Sequence, residues 1–140
     1  MKRYNIIIIL FLFMSCYLRD DDNISTDILN DIPVLLVTNS ESDTINFGQI
    51  IQGEVIEIQF NIKNSGTGNL IINSAKTSCG CTKLKFPRKM IKENDEDIIS
   101  VNFDSSGRIG KQVKNITLLT NCTPNTRILT IIGEVIPDNN

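Results

Sequence analysis

The residues best equipped for chemistry are three cysteines, Cys79, Cys81 and Cys122. Two of them stand one residue apart in the string Ser78-Cys79-Gly80-Cys81-Thr82. Thiolates attack disulfides and bind soft metal ions, so three readings are open. The first is structural: one disulfide, joining Cys122 to Cys79 or Cys81, or closing a Cys79–Cys81 ring. A ring across one residue is strained and easily reduced. The second is a site for Cu(I) or Zn²⁺. With Gly80 turned away, both sulfurs lie on one side of an extended chain. A further ligand would come from Cys122, a carboxylate or another chain. The third is redox exchange with a partner, in which Lys76, Lys83 and Lys85 would stabilise a thiolate. Buried cysteine commonly packs as a small hydrophobe, which favours the structural reading. The chain has no His. That excludes Ser-His-Asp and Cys-His catalysis and removes the commonest metal ligand. The expectation is therefore a non-enzymatic protein without a cofactor.

A fourth cysteine, Cys16, points to a different chemistry. It follows the basic residues Lys2 and Arg3, an apolar run from Ile6 to Met14, and the small residue Ser15. A charged start, a short apolar core and a small residue describe a secretory signal. A cysteine directly after that small residue looks like a bacterial lipobox, although Phe13 stands where Leu is commoner. Signal peptidase would then cut before Cys16, whose sulfur carries a diacylglyceryl group. The apolar run is too short to span a bilayer, which needs about 20 residues. One acyl chain binds marginally, whereas two or three anchor stably. Residues 1–15 thus read as a lipoprotein signal peptide and 16–32 as an acidic tether. Lipidation of Cys16 leaves Cys79, Cys81 and Cys122 as an odd set that cannot all pair within one chain.

The triplet Asp20-Asp21-Asp22 is similar to the short acidic signals with which Bacteroidota send lipoproteins to the cell surface. The expected location is an outer-membrane lipoprotein, facing the periplasm or displayed on the surface. Cleavage removes two bases and no acid, moving the formal charge from −2 to −4. No basic stripe or aromatic platform suggests a nucleic-acid partner. The acidic balance also opposes docking on anionic lipid, so the membrane is expected to be reached through Cys16 alone.

The elements that must position the thiols are strands. From Pro33 onward, short apolar runs alternate with turn signals. Val34 to Val37, Thr44 to Phe47 and Leu70 to Ala75 are three of them, with Gly48 expected to close the second. Residues 55–63 alternate cleanly: Ile56, Ile58, Phe60 and Ile62 point one way, Glu57, Gln59, Asn61 and Lys63 the other. A period of two predicts a strand buried on one face. The turn Asn64 to Asn69 offers two glycines, Gly66 and Gly68, free to take positive φ. Lys83 to Phe86 reads as an edge strand stopped by Pro87. Ile99, Val101 and Phe103 form an inner face, and Val113 to Thr120 and Ile128 to Ile136 are the last two strands. Seven or eight strands over residues 33–137 predict an all-β, immunoglobulin-like β-sandwich, with a barrel as the alternative closure.

The order of these signals resembles the DUF1573 family of small exported bacterial domains. The resemblance runs from about Ile45 to Val135. It rests on Phe47-Gly48 with Gly53-Glu54, on Phe60 to Gly66, on Ser78-Cys79-Gly80-Cys81-Thr82 and on Val101 to Asp104. It continues with Gly107, Gly110, Thr120-Asn121 and the final Leu129, Ile131, Gly133 and Val135. It implies an immunoglobulin-like fold and little about activity. Where the family has a Pro-Gly turn, this chain has Glu93-Asn94-Asp95, and Asn tolerates the left-handed conformation that Gly would supply.

Weaker signals are also present. Asp43-Thr44-Ile45 resembles an O-glycosylation site of exported Bacteroidota proteins. Asn115-Ile116-Thr117 and Asn121-Cys122-Thr123 fit the N-glycan sequon. Glu93, Asp95, Glu96 and Asp97 lack the spacing of a calcium loop. The expected function is a lipid-anchored, non-catalytic module that binds a protein or glycan of the envelope. The alternative is a copper-handling or redox accessory protein built on Cys79 and Cys81.

Overall fold

A computed structural model describes residues 31–78 and 82–139. The expected signal peptide, Cys16 and most of the expected tether fall outside these residues, as do Cys79, Gly80 and Cys81. Among the described residues eight strands form: β1 (Leu35–Val37), β2 (Thr44–Ile51), β3 (Val55–Asn64), β4 (Ile72–Thr77), β5 (Thr82–Lys85), β6 (Glu96–Asp104), β7 (Gly110–Thr120) and β8 (Thr126–Ile136). They make two four-stranded sheets. Sheet A has the order β1-β3-β6-β5, and sheet B has β2-β8-β7-β4. All pairings are antiparallel except β2 with β8. The expected all-β, two-sheet architecture is present, and it is consistent with an immunoglobulin-like sandwich.

The alternation in β3 builds half of the interface. Ile58, Phe60 and Ile62 are buried on its inner face, with Ile56, Ile58 and Phe60 opposite Phe103, Val101 and Ile99 of β6. Ile116, Leu118, Leu129, Ile131 and Val135 answer from sheet B. Each fully buried side chain of this size contributes about 1.5–3 kcal/mol of transfer free energy. Phe47 bridges the sheets, its ring centroid 5.4 Å from that of Phe103. It fits because Gly133 leaves the space: a Cβ there would stand 2.2 Å from the Phe47 ring.

Two sequence expectations are corrected. Gly48 does not close β2. It takes φ +76° inside the strand, where the register with β8 shifts between Asn46 and Gln49. The extra residue makes a bulge, and β2 runs on to Ile51. Gly66 and Gly68 do not serve positive φ, since neither is among the left-handed glycines. They are glycines for want of room. A Cβ on Gly66 would stand 2.1 Å from the Ile32 carbonyl, and one on Gly68 would stand 2.4 Å from that of Asp31. Asp31 and Ile32, expected at the end of the tether, therefore already lie against the domain.

The turn before β6 follows expectation. Asn94 adopts φ 63°, and Asp95 N–H donates to the Lys92 carbonyl at 3.0 Å.

Candidate functional site

Cys122 lies in the loop between β7 and β8, half-buried against the core. Its backbone N–H donates to Thr120 Oγ1 at 3.2 Å. The thiol is free and opens on a small cleft shared with Pro33, Leu35, Thr120 and Arg127. Cys79 and Cys81 are not described, but both flanks of their string are. Ser78 N–H donates to the Asn115 carbonyl at 3.0 Å, and Thr82 stands opposite Phe103. From Asn115 to Thr120 the strand rises about 17 Å, with Cys122 beyond it. A disulfide needs Cα atoms within about 7 Å. The fold thus holds Cys122 well away from Ser78. Among the described residues, no group of three or more His, Cys, Asp or Glu side chains could hold a metal ion. The copper alternative therefore gains nothing from the structure.

The other sequence motifs are engaged locally. Asn121 Oδ1 accepts from Ile71 N–H and its Nδ2 donates to the Asn69 carbonyl, each at 2.8 Å. That amide pins the start of β4 to the end of β7, which opposes its use as a glycan acceptor. Thr44 Oγ1 donates to the Ser42 carbonyl at 3.2 Å, and Asp43 pairs with Arg127 at 2.5 Å. In the loop after β6, Ser106 N–H donates to Asp104 Oδ1 at 2.9 Å. The Ser106 bonds, backbone first, hold that carboxyl below the usual aspartate range.

One candidate surface for a ligand arises where the chain changes sheets. β1 covers only the upper end of β3, Leu35 to Val37 lying opposite Asn64 to Ile62. Residues 38–43 then cross to sheet B, where β2 begins. Below the crossing the sheets part. A slot of about 420 Å³ opens there, lined by Ile45, Phe47 and Ile50 of β2 and Ile56 and Ile58 of β3. Asn39, Glu57 and Gln59 form its polar lip. Its size falls in the range of about 300–1,000 Å³ usual for ligand sites, and five of its eight lining residues are apolar. A second concavity of about 410 Å³ lies on sheet B around Asn46, Gln49, Lys111, Val113 and Glu134. There Val113 stands opposite Ile132, and the Asn115–Thr130 pair separates the two from the exposed Ile128.

Two asparagines, one in β3 and one at the lip of the slot, hold the backbone here in ways that the sequence does not announce. Asn64 is fully buried at the fifth inward position of the β3 alternation. Its Nδ2 donates to the Gly68 and Ile91 carbonyls at 2.7 and 2.9 Å. Its Oδ1 accepts from Gly66 and Val34 N–H at 3.1 and 3.3 Å. A polar residue in an inward register is the signal that could have marked it. Asn39 Nδ2 donates to the Gln59 carbonyl at 2.8 Å, while its Oδ1 accepts from Asn61 N–H at 2.9 Å. Nothing in the sequence distinguishes Asn39 from an ordinary loop asparagine.

Comparison with known proteins bears on fold and family. The family described as "Protein of unknown function (DUF1573)" matches residues 38–135. No curated protein matches the chain. A protein of unknown function from Porphyromonas gingivalis is similar in structure, with a TM-score of 0.64 at 20% identity. That likeness covers 75% of this chain and 48% of the other, so the chain spans about half the length of that protein. The ASH/PapD-like domain 7 of human CEP192 gives a TM-score of 0.54 at 12% identity, over 79% of this chain and 89% of that one. The VesB protease of Vibrio cholerae gives 0.54 at 10%, over 79% and 34%. At these identities the likeness is one of fold alone.

Proposed function

The chain belongs to the DUF1573 family, and on that premise we propose that it is a lipid-anchored envelope protein whose sandwich binds a protein or glycan without catalysis. The observation that carries this reading is the apolar slot between β2 and β3, with its polar lip of Asn39, Glu57 and Gln59. Such a cleft offers area and shape to a partner, whereas its lining offers no nucleophile paired with a base. The lipobox-like Cys16 supplies the membrane attachment in this reading, and the tether supplies reach. The partner would be met at the outer membrane, on its periplasmic or its outer side.

A photo-crosslinking residue placed at Gln59 in cells tests the reading. Capture of one reproducible envelope component from that position, and not from Lys111 on sheet B, is the expected result. Turnover of an envelope substrate by the purified protein, or capture from sheet B alone, would overturn it.

A further inference from the structure

We infer that the slot takes an extended peptide, which adds an antiparallel strand to the lower edge of β3; this rests on the binding reading above. Backbone alternation fixes which groups are available. Asn61 turns its N–H and carbonyl toward the line of β1, to Asn39 Oδ1 and to Thr38 N–H. The Gln59 carbonyl faces the same way, to Asn39 Nδ2. The period of two therefore puts Gln59 N–H and both backbone groups of Glu57 on this edge. Asn39 thus forms the last rung of the β1 ladder with its side-chain amide. Among the described strands, none continues that ladder over Glu57.

Open edges are usually blocked, because unpaired N–H and C=O groups recruit other chains. The other edges in this fold carry such devices. β5 is four residues long, shows Lys83 and Lys85 and precedes Pro87. β2 is bulged at Gly48. β4 is irregular between Ile72 and Ser74 and carries Lys76. The lower edge of β3 carries none of these. Its register with β6 is unbroken from Val55 to Lys63, and no Lys or Pro occurs from Val55 to Asn61.

The slot beneath this edge defines the occupant. A strand laid beside Val55 to Gln59, about 14 Å of chain, turns alternate side chains inward. Those side chains meet Ile45, Phe47, Ile50, Ile56 and Ile58, so they must be apolar. The intervening ones face outward beside the exposed Glu57, where a Lys or Arg is complementary. A glycan could fill the slot but would not match a row of backbone donors and acceptors at strand spacing. The antiparallel direction continues that of β1.

The test uses ¹⁵N-labelled full-length protein in detergent and an acetylated, amidated peptide alternating Ile and Thr between terminal Lys residues. In an antiparallel pair, the outward Thr residues turn their N–H groups to β3. The expected result is slowed hydrogen exchange at Glu57 and Gln59 on adding the peptide. Methylating the Thr nitrogens should weaken binding by about tenfold or more, and methylating the Ile nitrogens should weaken it less. Equal effects of the two methylations, or changes confined to sheet B, overturn the inference. So does protection without peptide that grows with protein concentration, which assigns the edge to a second copy. If the peptide fails while Gln59 still captures a glycan in cells, strand addition is wrong and the binding reading stands. If neither occurs, both fall.

Discussion

Asn64 shows how much one side chain decides here. Its four hydrogen bonds tie the 64–69 turn to Ile91 and to Val34, inside a fully buried site. Asn64→Ala leaves buried backbone groups unpaired, each costing about 1–3 kcal/mol. We expect a stability loss of about 2–4 kcal/mol, read as a lower denaturant midpoint with little change in slope. Gly66→Ala should also destabilise, because the added methyl meets the Ile32 carbonyl rather than a movable side chain. Gly53→Ala is the comparison: no atom lies within 4 Å, so only its positive φ opposes the change, at about 1 kcal/mol. If the two variants melt alike, the close approach of residues 31–34 does not explain Gly66. Asp104 is held below the usual carboxylate range first by the Ser106 N–H. A depressed carboxyl stabilises the fold above its ordinary pKa, and that contribution is lost as pH falls through the lowered value. A carboxyl-carbon titration by NMR should place Asp104 below the ordinary aspartate value, and Ser106→Pro, which removes the backbone donor, should raise it.

Among the elements, β3 combines the most buried and the most available backbone. Its even-numbered residues turn to β6 and its odd-numbered ones to β1 or to solvent. In the free protein, Ile58 and Phe60 amides should exchange at rates set by global unfolding, whereas Glu57 should exchange through local exposure. Uniformly slow exchange along β3 would mean that the lower edge is already covered. The parity of these residues was legible in the sequence, since the alternation from Ile56 to Ile62 admits only one inward set. Which part of the edge would be open was not legible. It depends on where the chain after β1 crosses to sheet B, and the polar run Thr38 to Asp43 carries no periodicity from which to read it. The same limit explains Gly48. Glycine after the alternating Ile45 and Phe47 reads as a stop, yet tertiary pairing with β8 carries β2 through a bulge to Ile51.

At the scale of the whole molecule, the sandwich is the outer part of a proposed tethered protein. Cys16→Ala should move it from the membrane fraction to the soluble fraction and lower its intact mass by the acyl groups. Retention in the membrane would refute the lipid anchor. Alkylation of unreduced, unfolded protein should label Cys122, in keeping with its free thiol. If Cys122 labels only after reduction, it is paired with another cysteine.

Fold class, most strand positions and the family resemblance were determined by local pattern. Alternating apolar residues and turn-forming Gly, Asn and Pro act over a few residues, so a linear reading captures them. The slot, the open β3 edge and the separation of Cys122 from Ser78 were decided only by tertiary structure. Each arises from segments far apart in sequence. Ile45 and Phe47 meet Ile56 and Ile58 only after the chain has changed sheets, and Ser78 is set level with Asn115 by a pairing that spans the β5–β6 region. Cysteine spacing says which residues could react. The direction and length of the strands between them decide which can meet.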